Sequence, residues 1–138
     1  QHGYTFLEHT ADVGISATGR TLTELFVHLA KGLIALLVEG GQRELRQTRA
    51  IHLTAPDAES LLLAWLQELL FLFSTEAFLP IDYQLDLVTP TALRGQIKGD
   101  TFDLTRHLPG REVKAITRYL LKVEPRGGVW YGRVLVDI

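Results

Sequence analysis

VKAITRYLLKVEPRGGVWYGRVLVD, residues 113–137, decides how the rest of the chain is read. Residues 113–123 and 129–137 are rich in β-branched and aromatic side chains, and the link Glu124-Pro125-Arg126-Gly127-Gly128 concentrates turn formers, so the pattern predicts an antiparallel hairpin. Five further strands are predicted at 4–10, 13–18, 49–54, 83–88 and 93–98.

Two helices interrupt this run of strands. Thr21 and Glu24 form a T-x-x-E capping box, in which each side chain is expected to bond the backbone N–H at the other's position. Behind it Leu22, Leu25, Phe26, Leu29, Leu33, Ile34 and Leu37 recur at the three- and four-residue steps of one helical face, with Gly40-Gly41 as the expected stop. The second helix begins near Pro56-Asp57, with Asp57 as N-cap, and runs to about Ser74 through residues that are apolar on nearly every side. Its core, LLLAWLQELLFLF at 61–73, is too short for a membrane span and carries Gln67 and Glu68, so it reads as a central core helix in which Trp65 and Phe71–Phe73 are buried. Strands gather after the helices instead of alternating with them. The expected class is therefore α+β, an antiparallel-rich sandwich with two main helices in one domain spanning residues 1–138.

Composition excludes several functions. Fourteen basic and sixteen acidic side chains give a formal charge of −2, against strong nonspecific binding to nucleic acid. With no cysteine there is no disulfide framework, thiolate zinc site or thiol nucleophile, and the cytoplasm is the default compartment. The opening QHGYTFLEHT lacks the basic-then-apolar pattern of a secretory leader, and no membrane association is expected. Phosphate-loop, dinucleotide, zinc-protease and nucleophile-elbow motifs are all absent.

What remains is acidic. Asp137 and the α-carboxylate of Ile138 lie at one end of the sequence, and the cluster Glu8-His9-Thr10-Ala11-Asp12 lies near the other. If the fold joins these ends, the carboxylates of Asp12, Asp137 and Ile138 crowd one point, and such groups repel unless a proton or a hard cation joins them. Oxygen-only donors suit calcium, magnesium or manganese ahead of zinc, and His9 is placed to join or orient the cluster. The plainer alternative makes Asp12 a turn cap and Asp137 a solvated strand end. Lys114 is read on the strand face of Glu112 and Ile116, either binding phosphate or pairing with Glu112. His107, with Arg106 and Arg111 on the polar stretch 99–111, is read on a mobile loop able to meet a phosphate or an acidic partner.

Taken together, FLEHTADVGISATGRTLTELF at 6–26, LLLAWLQELLFL at 61–72, REVKAITRYLLKV at 111–123 and WYGRVLVDI at 130–138 resemble the archease family over nearly the whole chain. The resemblance implies no independent catalysis. It implies an accessory of the GTP-dependent RNA-splicing ligase RtcB, promoting guanylylation of the ligase and its repeated turnover in tRNA splicing and RNA repair. It also implies metal ligation by Asp12 of the T-A-D motif and by Asp137 and Ile138 of the terminal D-I motif, with calcium expected first and magnesium or manganese as alternatives. Lys114 falls on the family's K-A-x-T motif and so on the functional surface. Where the family commonly reads T-Y-H after K-A-x, this chain reads Thr117-Arg118-Tyr119. Two readings compete with the accessory role: a metal-dependent hydrolase using His9 or His107 as base, and a chaperone-like interaction module.

Overall fold

The structure is a computed structural model describing residues 3–8 and 12–138, with backbone alone at 7 and 8. In chain order the elements are β1 (Tyr4–Glu8), β2 (Asp12–Gly19), α1 (Leu22–Leu37), β3 (Val38–Gly41), β4 (Gln47–Thr54), α2 (Ala58–Glu76), β5 (Phe78–Val88), β6 (Ala92–Thr101), β7 (His107–Pro109), β8 (Ala115–Arg126) and β9 (Val129–Asp137). They form a four-stranded sheet ordered β1-β2-β9-β8, a three-stranded sheet ordered β4-β6-β5 and a two-stranded ribbon of β3 and β7. Every pairing is antiparallel. Both helices touch both larger sheets, α1 through β1, β2, β9 and β5, and α2 through β8, β4 and β5. This is the α+β sandwich that the sequence predicts, with the helices as its filling.

The helix caps follow from side-chain chemistry. The Thr21 hydroxyl accepts from the Glu24 N–H at 3.1 Å, and the Glu24 carboxylate accepts from the Arg20 N–H at 2.8 Å, one residue earlier than a strict capping box requires. Asp57 caps α2 by accepting from the Ser60 N–H at 2.8 Å. All seven residues read as one face of α1 are buried. Trp65, fully buried in α2, donates its indole N–H to the Phe26 carbonyl at 3.0 Å and so ties the helices together. An indole hidden to this extent contributes roughly 4–6 kcal/mol of gross apolar burial. By length and composition α2 is apolar enough to cross a membrane, yet its Leu61, Leu62, Trp65, Leu66 and Leu69 lie in the core.

Several expectations need correction. Phe71 is not core; it is 55% exposed, on the outer side of α2, while Phe73 is half-buried against Phe102. Helix α1 ends at Leu37, short of Gly40-Gly41, and passes directly into β3. Gly41 instead serves the β3–β7 crossing: its φ is +116°, and a Cβ there would sit 2.3 Å from the Arg106 carbonyl oxygen. Neither β3 nor β7 has enough residues to show alternation, which is why both were invisible in the sequence. The stretch 99–111 is not one loop, because β6 extends to Thr101 and β7 occupies His107–Pro109.

The predicted hairpin is present as β8 and β9, with Gly127 and Gly128 at φ +60° and +85°. Two consecutive positive φ angles are what a two-residue turn between right-twisted strands demands. Its ladder is broken once. Thr117 opposes Leu135 and Lys122 opposes Arg133, so residues 118–121 bulge out opposite Val134 alone. Within the bulge Leu120 takes φ +59°, a left-handed conformation costing roughly 1–2 kcal/mol for a residue with a Cβ.

Candidate functional site

The β2–β9 ladder begins with Asp12 directly opposite Asp137, and on the other side of β9 Asp137 faces Ala115. One residue further in, Val13, Val136 and Ile116 form the next rung and are all buried. Because side chains alternate along a strand, Asp12, Asp137 and Ala115 share the opposite, outer face, where both carboxylates are half-buried. Directly opposed residues hold their Cβ atoms about 4.5–5.5 Å apart, and like charges there destabilise the sheet unless something joins them. Ala115, itself exposed, offers no counter-charge to the pair.

Ile138 follows Asp137 and packs partly against the core. The Lys114 N–H donates to the Asp137 carbonyl at 2.7 Å, closing the ladder at this end. Lys114 precedes β8 instead of lying within it; its side chain is exposed and makes no ion pair among the described residues, so the pairing with Glu112 is not formed. The ends of the chain therefore converge as expected, bringing together Asp12, Asp137, Ile138 and Lys114. His9 lies outside the described residues.

The side-chain donors of Asp12 and Asp137 are oxygens, the donor type that hard divalent cations prefer. Among the described residues no cluster of three or more His, Asp or Glu side chains forms a ready cage. To hold a cation, two side-chain carboxylates would need completion by Ile138, by water or by a partner's oxygen.

His107 does not belong to this group. It sits in the β3–β7 ribbon, 3% exposed, and cannot meet a partner or a phosphate from there. Its Nδ1 accepts from the Asp103 N–H at 3.0 Å, so Nε2 carries the proton and donates to the Gln42 carbonyl at 2.9 Å. Beside it lies Asp100, with no exposed side-chain surface. Arg106 grips that carboxylate in a fork at 3.0 and 3.1 Å, the Glu44 and Thr101 N–H groups donate to it at 3.0 and 2.7 Å, and Arg46 approaches to 3.3 Å. The Arg106 fork, followed by the backbone donors, outweighs burial and holds the Asp100 carboxyl well below the usual carboxylate range. The residues read as a phosphate-meeting loop thus form an internal clasp that pins 42–46 and β7 to β6. In sequence the signal was ambiguous: Asp100, Asp103 and Arg106 are spaced as well for a solvated loop as for a buried network.

The model of the archease protein family (MTH1598/TM1083) matches residues 4–138. The chain belongs to the archease family. Similar proteins include the archease of Pyrococcus furiosus, 36% identical over 135 residues covering 95% of each chain. The archease of Methanosarcina acetivorans is 32% identical over 139 residues, 98% of this chain and 95% of that one. Among solved structures, protein 1598 of Methanobacterium thermoautotrophicum shares 29% identity with a TM-score of 0.86 over the full length of both chains. An archease of Thermotoga maritima, described as a possible chaperone, is 20% identical with a TM-score of 0.61 over 96% of this archease and 94% of its own length, a likeness of fold alone.

Proposed function

We propose that this archease is an accessory protein of the GTP-dependent RNA-splicing ligase RtcB, working in the cytoplasm to promote ligase guanylylation and multiple turnover in tRNA splicing and RNA repair, with no catalysis of its own. The observation that carries the reading is the Asp12–Asp137 rung, two carboxylates held opposite each other by a buried ladder. Membership of the archease family and the oxygen donor set support the reading.

Asp12, Asp137 and an oxygen of Ile138 would hold a divalent cation, calcium first, with magnesium or manganese as alternatives. A cation there would add positive charge against nucleotide phosphates during transfer. The protein's own residues fix the geometry. Val13, Val136 and Ile116 anchor the rung from beneath, the Lys114 N–H fixes the end of β9, and the exposed Lys114 ammonium stands free to meet phosphate or a partner carboxylate.

The test is multiple-turnover RNA joining by an RtcB-type ligase with substoichiometric archease. Joining should continue past one turnover with the wild type and stall after about one with Asp12→Asn or Asp137→Asn. Phosphoester hydrolysis by the archease alone would replace this reading with the hydrolase, and equal protection of unrelated aggregating proteins by wild type and variants would replace it with the chaperone.

A further inference from the structure

A cleft of about 400 Å³ opens between α1, β3 and β5 and shares no residue with the acidic rung. Its volume falls within the range of roughly 300–1,000 Å³ that small-molecule sites occupy. Ile34 and Ala35 of α1, Val38 of β3, and Pro80 and Ile81 of β5 give it apolar walls. Two tyrosines add to the lining, and neighbours hold both rings in place. Tyr83 meets Trp65 edge to face at 6.1 Å, while Tyr4 lies against Phe6 at 5.2 Å and against α1 at Gly32.

The polar groups of this cleft are donors short of acceptors. Lys31 is exposed and has no hydrogen bond or ion pair among the described residues. Arg43 reaches only the Val38 carbonyl, at 3.4 Å, an uncharged acceptor beyond the usual hydrogen-bond range, which leaves most of its N–H groups unused. The Tyr83 hydroxyl bonds no protein acceptor among the described residues. Burial pushes its pKa up and the Arg43 charge only partly offsets this, so it stays a neutral donor beside a cation. Glu39 lines the same cleft, pairs with neither cation, and is left to accept from a hydroxyl or amino group. Two cations and a phenol on one cleft call for an anion, and two positive charges suit the double charge of a phosphomonoester better than a single carboxylate.

We infer that this cleft binds a nucleoside monophosphate, with the phosphate on Lys31, Arg43 and the Tyr83 hydroxyl, the flat base among the tyrosine rings and aliphatic side chains, and a ribose hydroxyl on Glu39. That class of ligand combines a dianion, hydrogen-bond donors and a planar apolar body in one small molecule. The inference uses only residues of the cleft and stands apart from the accessory role.

Adenosine monophosphate is titrated into the protein alone and followed by calorimetry, beside adenosine and inorganic phosphate. The variants are Lys31→Gln, Arg43→Gln and Tyr83→Phe. Lys31 and Arg43 are exposed, so their variants should keep the wild-type melting temperature. The nucleotide should bind at least tenfold more tightly than adenosine or phosphate. Each cation variant should weaken it about tenfold, and Tyr83→Phe, which keeps the ring, about threefold. No saturable binding at millimolar nucleotide overturns the site. Inorganic phosphate binding as tightly as the nucleotide removes the apolar walls from the account, and adenosine binding as tightly removes the charges; either overturns the proposal. Undiminished affinity in both cation variants places the nucleotide elsewhere and also overturns it. Because no ligase is present, each of these outcomes leaves the accessory role standing.

Discussion

Asp100 shows how much one side chain can organise. Its carboxylate is fully buried and receives donors from Arg106, Arg46, Glu44 and Thr101. Asp100→Asn keeps the shape but leaves two guanidinium groups facing an amide, and it should lower unfolding free energy by about 3 kcal/mol, the low end for breaking a buried pair because Arg106 and Arg46 reach solvent. The pH dependence carries a definite sign. The folded carboxyl titrates below its unfolded value, so its stabilisation is complete above the unfolded value of about 3.9 and drains away as pH falls through that point toward the folded one. Urea titrations at stepped pH should show wild type and Asp100→Asn drawing together only below about pH 4; a gap unchanged at pH 3 would contradict the charge argument. At the end of α2, Ala77 closes the helix at φ 55° with its N–H on the Leu72 and Phe73 carbonyls, a conformation glycine adopts freely. Ala77→Gly should therefore gain about 0.5–1 kcal/mol, read as a raised melting temperature.

Among the elements, α1 sets two preferences against each other at Gly32. Alanine favours helices over glycine by about 0.8–1 kcal/mol, but a Cβ at this position would stand 2.6 Å from Ile15 Cγ2 and 3.1 Å from the Tyr4 ring. Ile15 is buried and β-branched, with little room to yield, so overpacking wins and Gly32→Ala should lose about 1–2 kcal/mol in chemical denaturation. Elements of this kind were legible in the sequence. The stripe from Leu22 to Leu37 and the turn at Gly127-Gly128 are local patterns, and the α+β class followed from their order. The bulge was not legible, since Arg118-Tyr119-Leu120-Leu121 carries strand-forming residues and only the partner strand reveals that four of them oppose a single valine. Phe71 misled for the opposite reason, because α2 is so apolar that its periodicity does not mark an outer side. His107 and Asp100 were misread because a polar stretch looks the same in sequence whether it faces water or its own backbone.

At the scale of the molecule, the sandwich brings two distant sequence stretches together. Asp12 and Asp137 lie 125 residues apart (137 − 12) yet occupy one rung, and the candidate site was readable only because both are acidic and the motifs at the two ends resemble one family. Lys114 joins the same end of the sheet through its backbone N–H. The acidic rung also makes a thermodynamic prediction. A cation that binds the folded chain alone stabilises it by about 2.7 kcal/mol at one hundred times its dissociation constant, so calcium should raise the melting temperature of the wild type and leave that of Asp137→Ala unmoved. The most direct test of the central claim follows ligase guanylylation with labelled GTP and manganese, adding substoichiometric archease as wild type or Asp137→Ala. The account predicts a faster rate with the wild type and none of that acceleration with the variant; equal acceleration by both proteins would contradict it.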